Sequence, residues 1–600
     1  MRYLGVALIA GGLLVAAMLD LARSTRYRSR VMGISAVCGA VVGVLFYSYA
    51  YTRAEGFSAE AVLRTLMTVC RMFGGVNDAA ALSGTPLFSH RLLVALFWLG
   101  HFLAFYVTAS AAIELLGRRL LKGLRIRLLS RGALCVVYGA GADTLALVKR
   151  RPGRQALVFV SDREDTGLGA IADAMGGVLF TGGAAVCATE AFLKRVGVNS
   201  GRRVIDLYAL GPSPLENLRF AEAFCRAMEA RGVAPEATSA FLLGVSEEKA
   251  AHLQALEGRY GFGALMASET HALMARLMVQ KLPPWTLMSF DDAGRAAGDF
   301  RVVIAGFGRM GRAALTQMVM NGQMAGSAFH ADVFDPDMDR LSGCMNACFP
   351  DLLRAFDIRL RPEAAGSDAF YRCLAETPPT VILLCTGSAE ANADLAADLD
   401  HLYAVQPSRP PVLQCTGEAL RLGDAEHRLS GVDVRGIDRR AMIVNHMYCG
   451  GPSPEADWRA CDPFSRASSR ASADFCPAFL RAAGVDRAAA LNQWPPRAEV
   501  LENLARTEHL RWCAFHLAMG YRPMSDAEFE ARARRFRQGE DIRVSKNAEA
   551  RTHACLVPWE NLDALSQREN RLGGRQVDYK AMDVNNVLAL PEILKAEDEG

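Results

Sequence analysis

The stretch that decides the fold spans residues 300–312 and reads FRVVIAGFGRMGR. Its first half is apolar apart from Arg301, which is typical of a strand buried on both faces of a sheet. Its second half places glycines at Gly306, Gly308 and Gly311, the GxGxxG spacing that lets a backbone turn approach a pyrophosphate at a helix N-terminus. This order of strand, glycine turn and helix predicts a Rossmann-type unit.

An acidic residue follows at the distance that this fold requires. A second strand over residues 331–334 ends at Asp335, where a carboxylate takes ribose hydroxyls in such units. Arg312 directly follows the last glycine and adds a cation beside the turn. We therefore expect the three glycines, Arg312 and Asp335 to form a nucleotide site.

A weaker copy of the same pattern lies upstream. The apolar run at residues 133–138 leads into Gly139 and Gly141, and the next strand ends at Asp162, about twenty residues on. Thr144 stands where the third glycine would be. We predict a second nucleotide site at Gly139, Gly141 and Asp162, with a Rossmann fold that has lost its ligand as the alternative for either copy.

Both copies repeat a later element. Residues 204–210 lead to Asn217, and residues 381–385 lead to Asn392, each opening a helix at the end of a strand. The two halves are about 165 residues apart, which indicates an internal duplication.

Three stretches near the N-terminus are apolar enough to cross a bilayer. They cover residues 3–19, 31–51 and 92–116, each close to the roughly 20 residues that a spanning helix needs. The first could be a signal peptide, but its positive charges follow the apolar run and no cleavage site separates them, which favours a retained helix. Basic flanks at residues 23–30 and 118–127 predict that the N-terminus lies outside and that everything after residue 117 is cytoplasmic.

The segment at residues 57–78, between the second and third spans, predicts a helix followed by a Gly-rich turn. A re-entrant helix and loop of this kind would line a pore, because irregular backbone at membrane depth needs protein or water around it. The candidate pore residues are Thr68, Phe73, Gly74, Gly75 and Asn77. No TVGYG-like filter is present and Arg71 is awkward beside a cation path, so an amphipathic helix on the outer membrane face remains the alternative.

Composition excludes several classes of function. With 67 Lys+Arg against 64 Asp+Glu, the chain has a formal charge of +3 and no clustered basic surface for nucleic acid beyond the membrane flanks. Its 15 cysteines show no metal-ligand spacing, so we predict no metal site. No nucleophile, paired acid and base, or substrate domain accompanies either glycine motif, so we predict binding without catalysis and no enzyme.

The GxGxxG motif with Asp335, in tandem behind a short membrane bundle, resembles the TrkA-N/RCK family (regulators of potassium conductance) over residues 132–480. The resemblance implies a cytoplasmic gating ring that binds NAD, NADH, ATP, ADP or AMP, with Gly306, Gly308 and Gly311 on phosphate and Asp335 on ribose. Gly139, Gly141 and Asp162 would match in the first unit. The same family implies a homotetrameric potassium or cation channel in a bacterial inner membrane.

The C-terminal part suggests a further domain. Residues 449–473 are rich in Gly, Pro and Ser and predict an exposed linker. A helix over residues 502–519 carries Glu508, His509 and Trp512, and HACLVPW follows at residues 553–559. This order resembles the ryanodine-receptor (RyR) repeat over residues 495–590.

A ligand site for this domain follows from the resemblance. Trp512 and Trp559 would stack the purine of an adenine nucleotide or a cyclic ADP-ribose-like ligand, and Arg522 and His553 would face its phosphate. His509 would be a further ligand residue. The alternative is that both tryptophans simply form a small core.

The expected fold class is an N-terminal transmembrane helical bundle, then cytoplasmic α/β tandem Rossmann domains, then a small mainly α domain. The expected boundaries are 1–117 for the membrane domain, 118–131 for a basic linker, 132–285 and 298–480 for the Rossmann domains, and 491–600 for the RyR-like domain. The leading hypothesis is a ligand-gated channel surrounded by membrane lipids. A membrane-anchored nucleotide-signal sensor or immunity effector without a selective pore is the alternative.

Overall fold

A computed structural model describes residues 25–129, 133–141, 144–149, 155–163, 165–198, 204–406, 409–434, 436–574 and 576–599. The predicted span at residues 3–19 lies outside the described residues. The chain divides into two compact units. The first comprises Met1–Ala142, Arg151–Leu242 and Leu253–Leu265, and the second comprises Asp143–Arg150, Leu243–His252 and Met266–Gly600.

Two helices of the first unit are long and apolar enough to span a bilayer, over Arg30–Glu55 and Arg91–Ala112. Only 28% and 22% of their most apolar windows are buried, so they are not core helices of a soluble domain. Their exposed apolar surface indicates association with a membrane. The helical elements of this region are α1 Thr25–Glu55, α2 Ala59–Phe73, a 3₁₀ turn Ala79–Leu82, α3 Pro86–Ser89 and α4 Arg91–Leu129.

Small residues let α1 and α4 approach each other closely. A Cβ on Gly39 would lie 3.1 Å from the Cβ of Ala104, and a Cβ on Gly100 would lie 2.5 Å from Val42 Cγ1. Close backbone approach through small residues is the usual way in which membrane helices associate.

The first Rossmann sheet has the strand order β3-β2-β1-β4-β5-β6, with β1, β2, β3, β4 and β5 parallel. Its β-strands run almost entirely through apolar, buried residues, as expected when helices cover both faces. The strands are β1 Ala133–Tyr138, β2 Ala156–Ser161, β3 Val178–Thr181, β4 Val204–Ala209, β5 Thr238–Leu243 and β6 Ala264–Ser268. The helices of this stretch of chain are α5 Leu145–Lys149, α6 Thr166–Ala174, α7 Gly183–Cys187, α8 Glu190–Arg195, α9 Pro214–Ala230, α10 Glu247–Ala250 and α11 Thr270–Lys281, with 3₁₀ turns Pro235–Ala237, Ala251–Leu253 and Pro284–Leu287.

The second Rossmann sheet has the order β13-β12-β11-β10-β7-β8-β9, in which β12 and β13 form an antiparallel extension. Its core packs Phe334, Phe370 and Leu399 against the strands. The strands are β7 Phe300–Ala305, β8 Phe329–Phe334, β9 Asp357–Arg361, β10 Val381–Leu384, β11 Val412–Cys415, β12 Ala419–Leu422 and β13 Ala425–Arg428. The helices are α12 Arg309–Asn321, α13 Met338–Cys348, α14 Pro350–Ala355, α15 Asp368–Glu376 and α16 Ala389–Tyr403, with a 3₁₀ turn Leu429–Gly431.

The remaining elements are mostly helical and belong to the same compact unit as the second sheet. They are α17 Arg439–Cys449, α18 Pro454–Ala460, α19 Pro463–Ala483, α20 Arg487–Gln493, α21 Ala498–Ala518, β14 Arg522–Pro523, α22 Asp526–Arg537, β15 Lys546–Asn547, β16 Thr552–His553, a 3₁₀ turn Trp559–Asn561, α23 Leu562–Asn570, α24 Tyr579–Leu588 and α25 Leu590–Glu599. The predicted domain at residues 491–600 is therefore not set apart from its neighbour. Thr507 on α21 accepts a hydrogen bond from the backbone of Ala325, in the loop before β8.

The predicted exposed linker at residues 449–473 is wrong. Ser453 caps α18 and Asp462 caps α19, and each cap is followed by a proline in the first helical turn. The Ser and Pro residues are thus helix starts instead of turn formers. Trp458 and Arg466 are buried here.

Helix α11 lies in the second compact unit, although the sequence placed residues up to 285 in the first Rossmann domain. Arg276 on this helix is buried and donates to Asp474 and Asp438, each at 2.5 Å. Arg470 bridges Asp438 to Glu247. Burial alone would lower the pKa of Arg276, but the two carboxylates raise it. Such a network holds α11 firmly, because removing one partner would leave a buried charge uncompensated.

Candidate functional site

The crevice of the second Rossmann sheet opens where β7 lies between β10 and β8. The three strands are parallel, but β8 is added on one side of β7 and β10 on the other. Ligands of doubly wound folds bind at such a switch point, outside the carboxyl ends of the strands. The glycine turn follows β7 directly and α12 begins at Arg309. The first backbone N–H groups of α12 therefore face the crevice without partners inside the helix.

The three glycines of the turn have different surroundings. Gly306 has φ of +98°, and a Cβ there would overlap the carbonyl oxygen of Cys385. A Cβ on Gly311 would overlap the carbonyl oxygen of Gly306. Gly308 has no heavy atom within 4 Å of the position that its Cβ would take. Gly306 and Gly311 thus allow close packing, whereas Gly308 borders open space where a ligand could approach.

The predicted acid is held by the turn itself. Asp335 accepts hydrogen bonds from the backbone N–H of Phe307 at 2.7 Å and from that of Asp337 at 2.8 Å. Each carboxylate oxygen keeps a lone pair for a ribose hydroxyl. Arg312 instead donates to the carbonyl of Leu341, on α13.

Arg309, which sequence reasoning missed, is exposed at the first position of α12. A cation at this position, next to Gly308, can contact a phosphate bound at the helix N-terminus. The signal was present in the sequence, as the residue between the second glycine and Met310.

A buried asparagine lies at the equivalent position of each Rossmann unit. Asn217 accepts from the N–H of Gly211 and donates to the carbonyl of the same residue, both at 2.8 Å. Asn392 accepts from the N–H of Thr386 at 3.1 Å and donates to the carbonyl of Cys415 at 3.2 Å. These contacts shape the strand end in each unit, and they agree with the duplication inferred from the sequence.

The first unit differs at the acid. Gly139 has φ of +66° and packs against Gly211, so the tight turn is retained. Tyr138 donates from its hydroxyl to Asp162 at 2.9 Å, and its ring stacks on Phe220 with centroids 4.2 Å apart. The carboxylate that was expected to bind ribose is therefore engaged by a neighbouring side chain. Gly141 has no heavy atom within 4 Å of a Cβ position.

In the membrane region α2 lies along α1 instead of across its end. A Cβ on Gly43 would lie 2.5 Å from Met72 Sδ and 3.1 Å from Val69 Cγ2, both near the end of α2. From Gly43 to the end of α1 at Glu55 is about 18 Å at 1.5 Å per residue. This is about half of the roughly 30 Å hydrocarbon core of a bilayer.

The turn after α2 is tied to α1 by hydrogen bonds. Tyr51 donates to the carboxylate of Asp78 at 2.7 Å and contacts Thr68 Oγ1 at 3.0 Å. Tyr47 accepts from the backbone N–H of Asp78, and its hydroxyl lies 2.9 Å from His101 Nε2 on α4. The sequence alone gave no sign that these groups would meet.

The predicted pore residues divide into two sets. Thr68 is buried against α1, and Phe73 is half-buried. Gly74, Gly75 and Asn77 are exposed at the surface of the single chain. Only the turn residues are therefore placed where a pore shared with other subunits could be lined.

A separate cavity of about 1070 Å³ lies in the second compact unit, between α17 and α19 on one side and residues 543–553 on the other. Three of the predicted ligand residues line it: His509, Trp512 and His553. Burial, together with Lys546 and Arg543, lowers the pKa of His553 to about 3. The N–H of Cys555 donates to His553 Nδ1 at 3.1 Å, which also requires the neutral imidazole.

The remaining predicted residues of this site have other surroundings. His509 Nδ1 lies 3.1 Å from Asp583 and Nε2 lies 2.8 Å from the carbonyl of Val557, so both ring nitrogens are used within the protein. Its ring lies between those of Trp512 and Trp559, with centroids 6.2 and 5.9 Å away. A purine cannot stack between these two tryptophans, because the imidazole occupies the gap. Trp559 is buried, Arg522 is exposed, and neither lines the cavity.

Comparisons with known proteins give only structural neighbours. No family model matches the sequence, and no curated protein sequence matches it. The solved structure of the GsuK Channel is similar with a TM-score of 0.31 and 15% identity, covering 63% of this chain and 86% of that chain. The GsuK channel bound to NAD gives 0.31 and 14%, covering 69% and 78%. The GsuK RCK domain gives 0.23 and 12%, covering 44% and 72%.

TM-scores this low do not establish a shared overall fold. The TrkA-N/RCK and RyR-type assignments stay predictions from the sequence. The described residues themselves provide three features. They are the open glycine turn after β7, the apolar helices α1 and α4 with α2 packed along α1, and the polar cavity of the second compact unit.

Proposed function

We propose that this protein is a homotetrameric ligand-gated ion channel, with an adenine nucleotide bound at the second Rossmann crevice controlling a cation pore. Nucleotide binding would favour one state of a closed–open equilibrium, which requires tighter binding to that state. The first Rossmann unit would serve as scaffold for the ring. The observation that carries the ligand half of the proposal is the open space at Gly308 beside the N-terminus of α12.

The nucleotide half is tested by calorimetry on the full-length protein in lipid nanodiscs, with NAD and ADP as probes. Gly308→Val fills the space that a pyrophosphate would approach, so we expect it to abolish the crevice binding step or weaken it at least tenfold. Gly298→Val is the matched control, since its Cβ also meets no heavy atom within 4 Å and the residue precedes β7, at the end of the strand away from the turn, and it should leave binding unchanged. A wild-type protein that binds neither probe, or a Gly308→Val protein that retains every binding step, would contradict the proposal.

The channel half is supported by the descent of α2 along α1 and its return through an exposed Gly-rich turn. A helix lying on the outer membrane face would not place Met72 beside Gly43. We propose that Gly74, Gly75 and Asn77 line the permeation path at the centre of the tetramer, where neighbouring copies would cover the irregular backbone.

This half is tested by ion flux into liposomes, in a background with the exposed Cys38 and Cys70 replaced by serine. A charged thiol reagent on Asn77→Cys should reduce flux by more than half. Phe57→Cys, at an exposed position before α2, should react without changing flux. Equal flux from modified and unmodified Asn77→Cys protein would instead favour the alternative, a membrane-anchored nucleotide sensor without a pore.

A further inference from the structure

The cavity in the second compact unit has a hydroxyl-lined wall that no sequence motif suggested. Ser465, Ser468, Ser469 and Ser472 lie at helical spacing on α19, so they share one face, and all four line the cavity. Ser465 donates to Asp462. The side-chain hydroxyls of the other three make no hydrogen bond among the described residues, so three O–H groups can donate to whatever occupies the cavity.

Two buried N–H donors on the same cavity also lack partners. Arg511 is 2% exposed; its Nε and Nη2 bind Glu508, but Nη1 has no partner among the described residues. Asn445 is 4% exposed; its oxygen accepts from Cys461, but its Nδ2 is likewise unpaired in the described chain. A buried donor without an acceptor costs roughly 1–3 kcal/mol, so a ligand that supplied acceptors would recover this cost.

Charged groups of both signs line the cavity. Each carboxylate that lines it has a partner: Asp457 with His446, Asp462 with Ser465, Asp583 with His509, and Glu569 with Tyr579. Among the described residues, Arg543 and Lys546 have no ion-pair partner within 4 Å. The ammonium of Lys546 instead lies over the ring of Phe464, 4.9 Å from its centroid. Asp462 and Glu569 bind only neutral donors and so keep their charge too, but the two cations lie together at residues 543–546 and can meet an anion there.

Aromatic surface completes the lining. Phe464 and Trp512 both contribute apolar surface to the wall. The volume of about 1070 Å³ lies at the upper end of the range of ligand pockets, which is about 300–1,000 Å³. A small anion such as phosphate alone would leave most of it empty.

We propose that this cavity is a second ligand site, which binds a phosphorylated nucleoside through Arg543, Lys546, the serine face of α19 and the two unpaired donors of Asn445 and Arg511. It differs from the Rossmann crevice in its residues and in its place in the fold. The site also differs from the one implied by the RyR resemblance, because Arg522 and Trp559 take no part in it and His509 contributes only structure.

The test uses the full-length Gly308→Val protein, so that the Rossmann crevice does not contribute, with NAD and ADP as calorimetric probes. We expect one binding step to remain for at least one of the two probes. Arg543→Glu should weaken this step at least tenfold, and Arg543 is exposed, so the fold should tolerate the change. Arg522→Glu makes the same charge reversal at an exposed position of the same region, outside the cavity, and should leave binding unchanged.

A second variant addresses the unpaired donors. Asn445→Asp keeps the oxygen that accepts from Cys461 and replaces the Nδ2 donor with an acceptor, so it should weaken binding at least tenfold while the melting temperature reports on folding. Absence of binding by the Gly308→Val protein, or equal binding by Arg543→Glu and Arg522→Glu, would overturn the cavity site. Neither result would bear on the Rossmann crevice, because that site is tested separately by comparing nucleotide binding of the wild-type and Gly308→Val proteins.

Discussion

The glycine turn of the second Rossmann unit contains three glycines, Gly306, Gly308 and Gly311, whereas that of the first unit contains two, Gly139 and Gly141, with Thr144 in place of the third. The residue before the first glycine also differs, being Ala305 in the second unit and Tyr138 in the first. The alanine leaves Asp335 to the backbone of the turn, but the tyrosine hydroxyl engages Asp162. The five strands β3-β2-β1-β4-β5 and β9-β8-β7-β10-β11 have the same order in the two sheets, but the contacts at the end of the first strand differ.

The comparison separates what the scaffold needs from what a ligand needs. The left-handed first glycine and the buried asparagine occur in both units, because they shape the polypeptide at the switch point. Among the described residues, a third glycine and an acid that accepts from two backbone N–H groups are found in the second unit. A phosphate gains from the unpaired N–H groups at the helix start beside Gly308, so we propose that the second unit binds the ligand.

The largest expected effect comes from the third glycine position. Gly311→Val should destabilise the protein by about 3 kcal/mol or more, because its Cβ would overlap the carbonyl oxygen of Gly306. Thr144→Val, at the corresponding position of the first unit, should cost less than about 1 kcal/mol. Thermal unfolding of the purified protein measures both losses of stability. Gly308→Val should have the same melting temperature as the wild type. Similar losses at Gly311 and Thr144 would show that the two turns pack alike.

An intermediate effect is expected at the shared asparagines. Asn217→Ala and Asn392→Ala should each cost about 2 kcal/mol, because each leaves buried backbone groups without a hydrogen-bond partner. The exposed Asn492→Ala should change stability by less than about 0.5 kcal/mol. If only one of the two buried-asparagine substitutions destabilises the protein, the two asparagines do not stabilise their strand ends equally.

The smallest expected effect concerns the tyrosine that distinguishes the first unit. Tyr138→Phe removes the hydrogen bond to Asp162 but keeps the stack on Phe220, so it should cost about 1 kcal/mol. The melting temperature gives this cost, and calorimetry with NAD should detect no added binding step. A new binding step would mean that the hydroxyl alone prevents the first unit from taking a ligand.

Much of the two sheets could be predicted from the sequence, since buried parallel strands are continuous apolar runs and the glycine spacing is local. The equivalent positions of Asn217 and Asn392 were also visible in the sequence, but their hydrogen bonds to the strand ends were not. What could not be predicted depends on contacts between residues far apart in the chain. Ser468 and Arg511 line the same cavity only because tertiary packing brings their helices together. The helix starts at Ser453 and Asp462 look like turns in the sequence, because caps and turns use the same residue types.

The sequence also suggested ligand roles for residues whose side chains are already engaged by their neighbours. Trp559 carries the aromatic surface expected of a ligand site, but it packs with Ala505 and Leu562 in the domain interior. His509 has the polarity of a ligand group, but both its nitrogens are bonded within the protein. Residue type and spacing do not reveal whether a side chain already has partners.

The position of α2 gives Arg71 an electrostatic meaning. The C-terminal end of a helix carries the equivalent of about half a negative elementary charge, and Arg71 lies in the last turn of α2. That end lies beside Gly43, so this half-charge sits deep in a medium of low dielectric constant, where it is poorly screened. In the proposed channel, Arg71 would act as a tethered counter-ion for the helix terminus, and a permeant cation that approached this end of α2 would compete with it for the same half-charge.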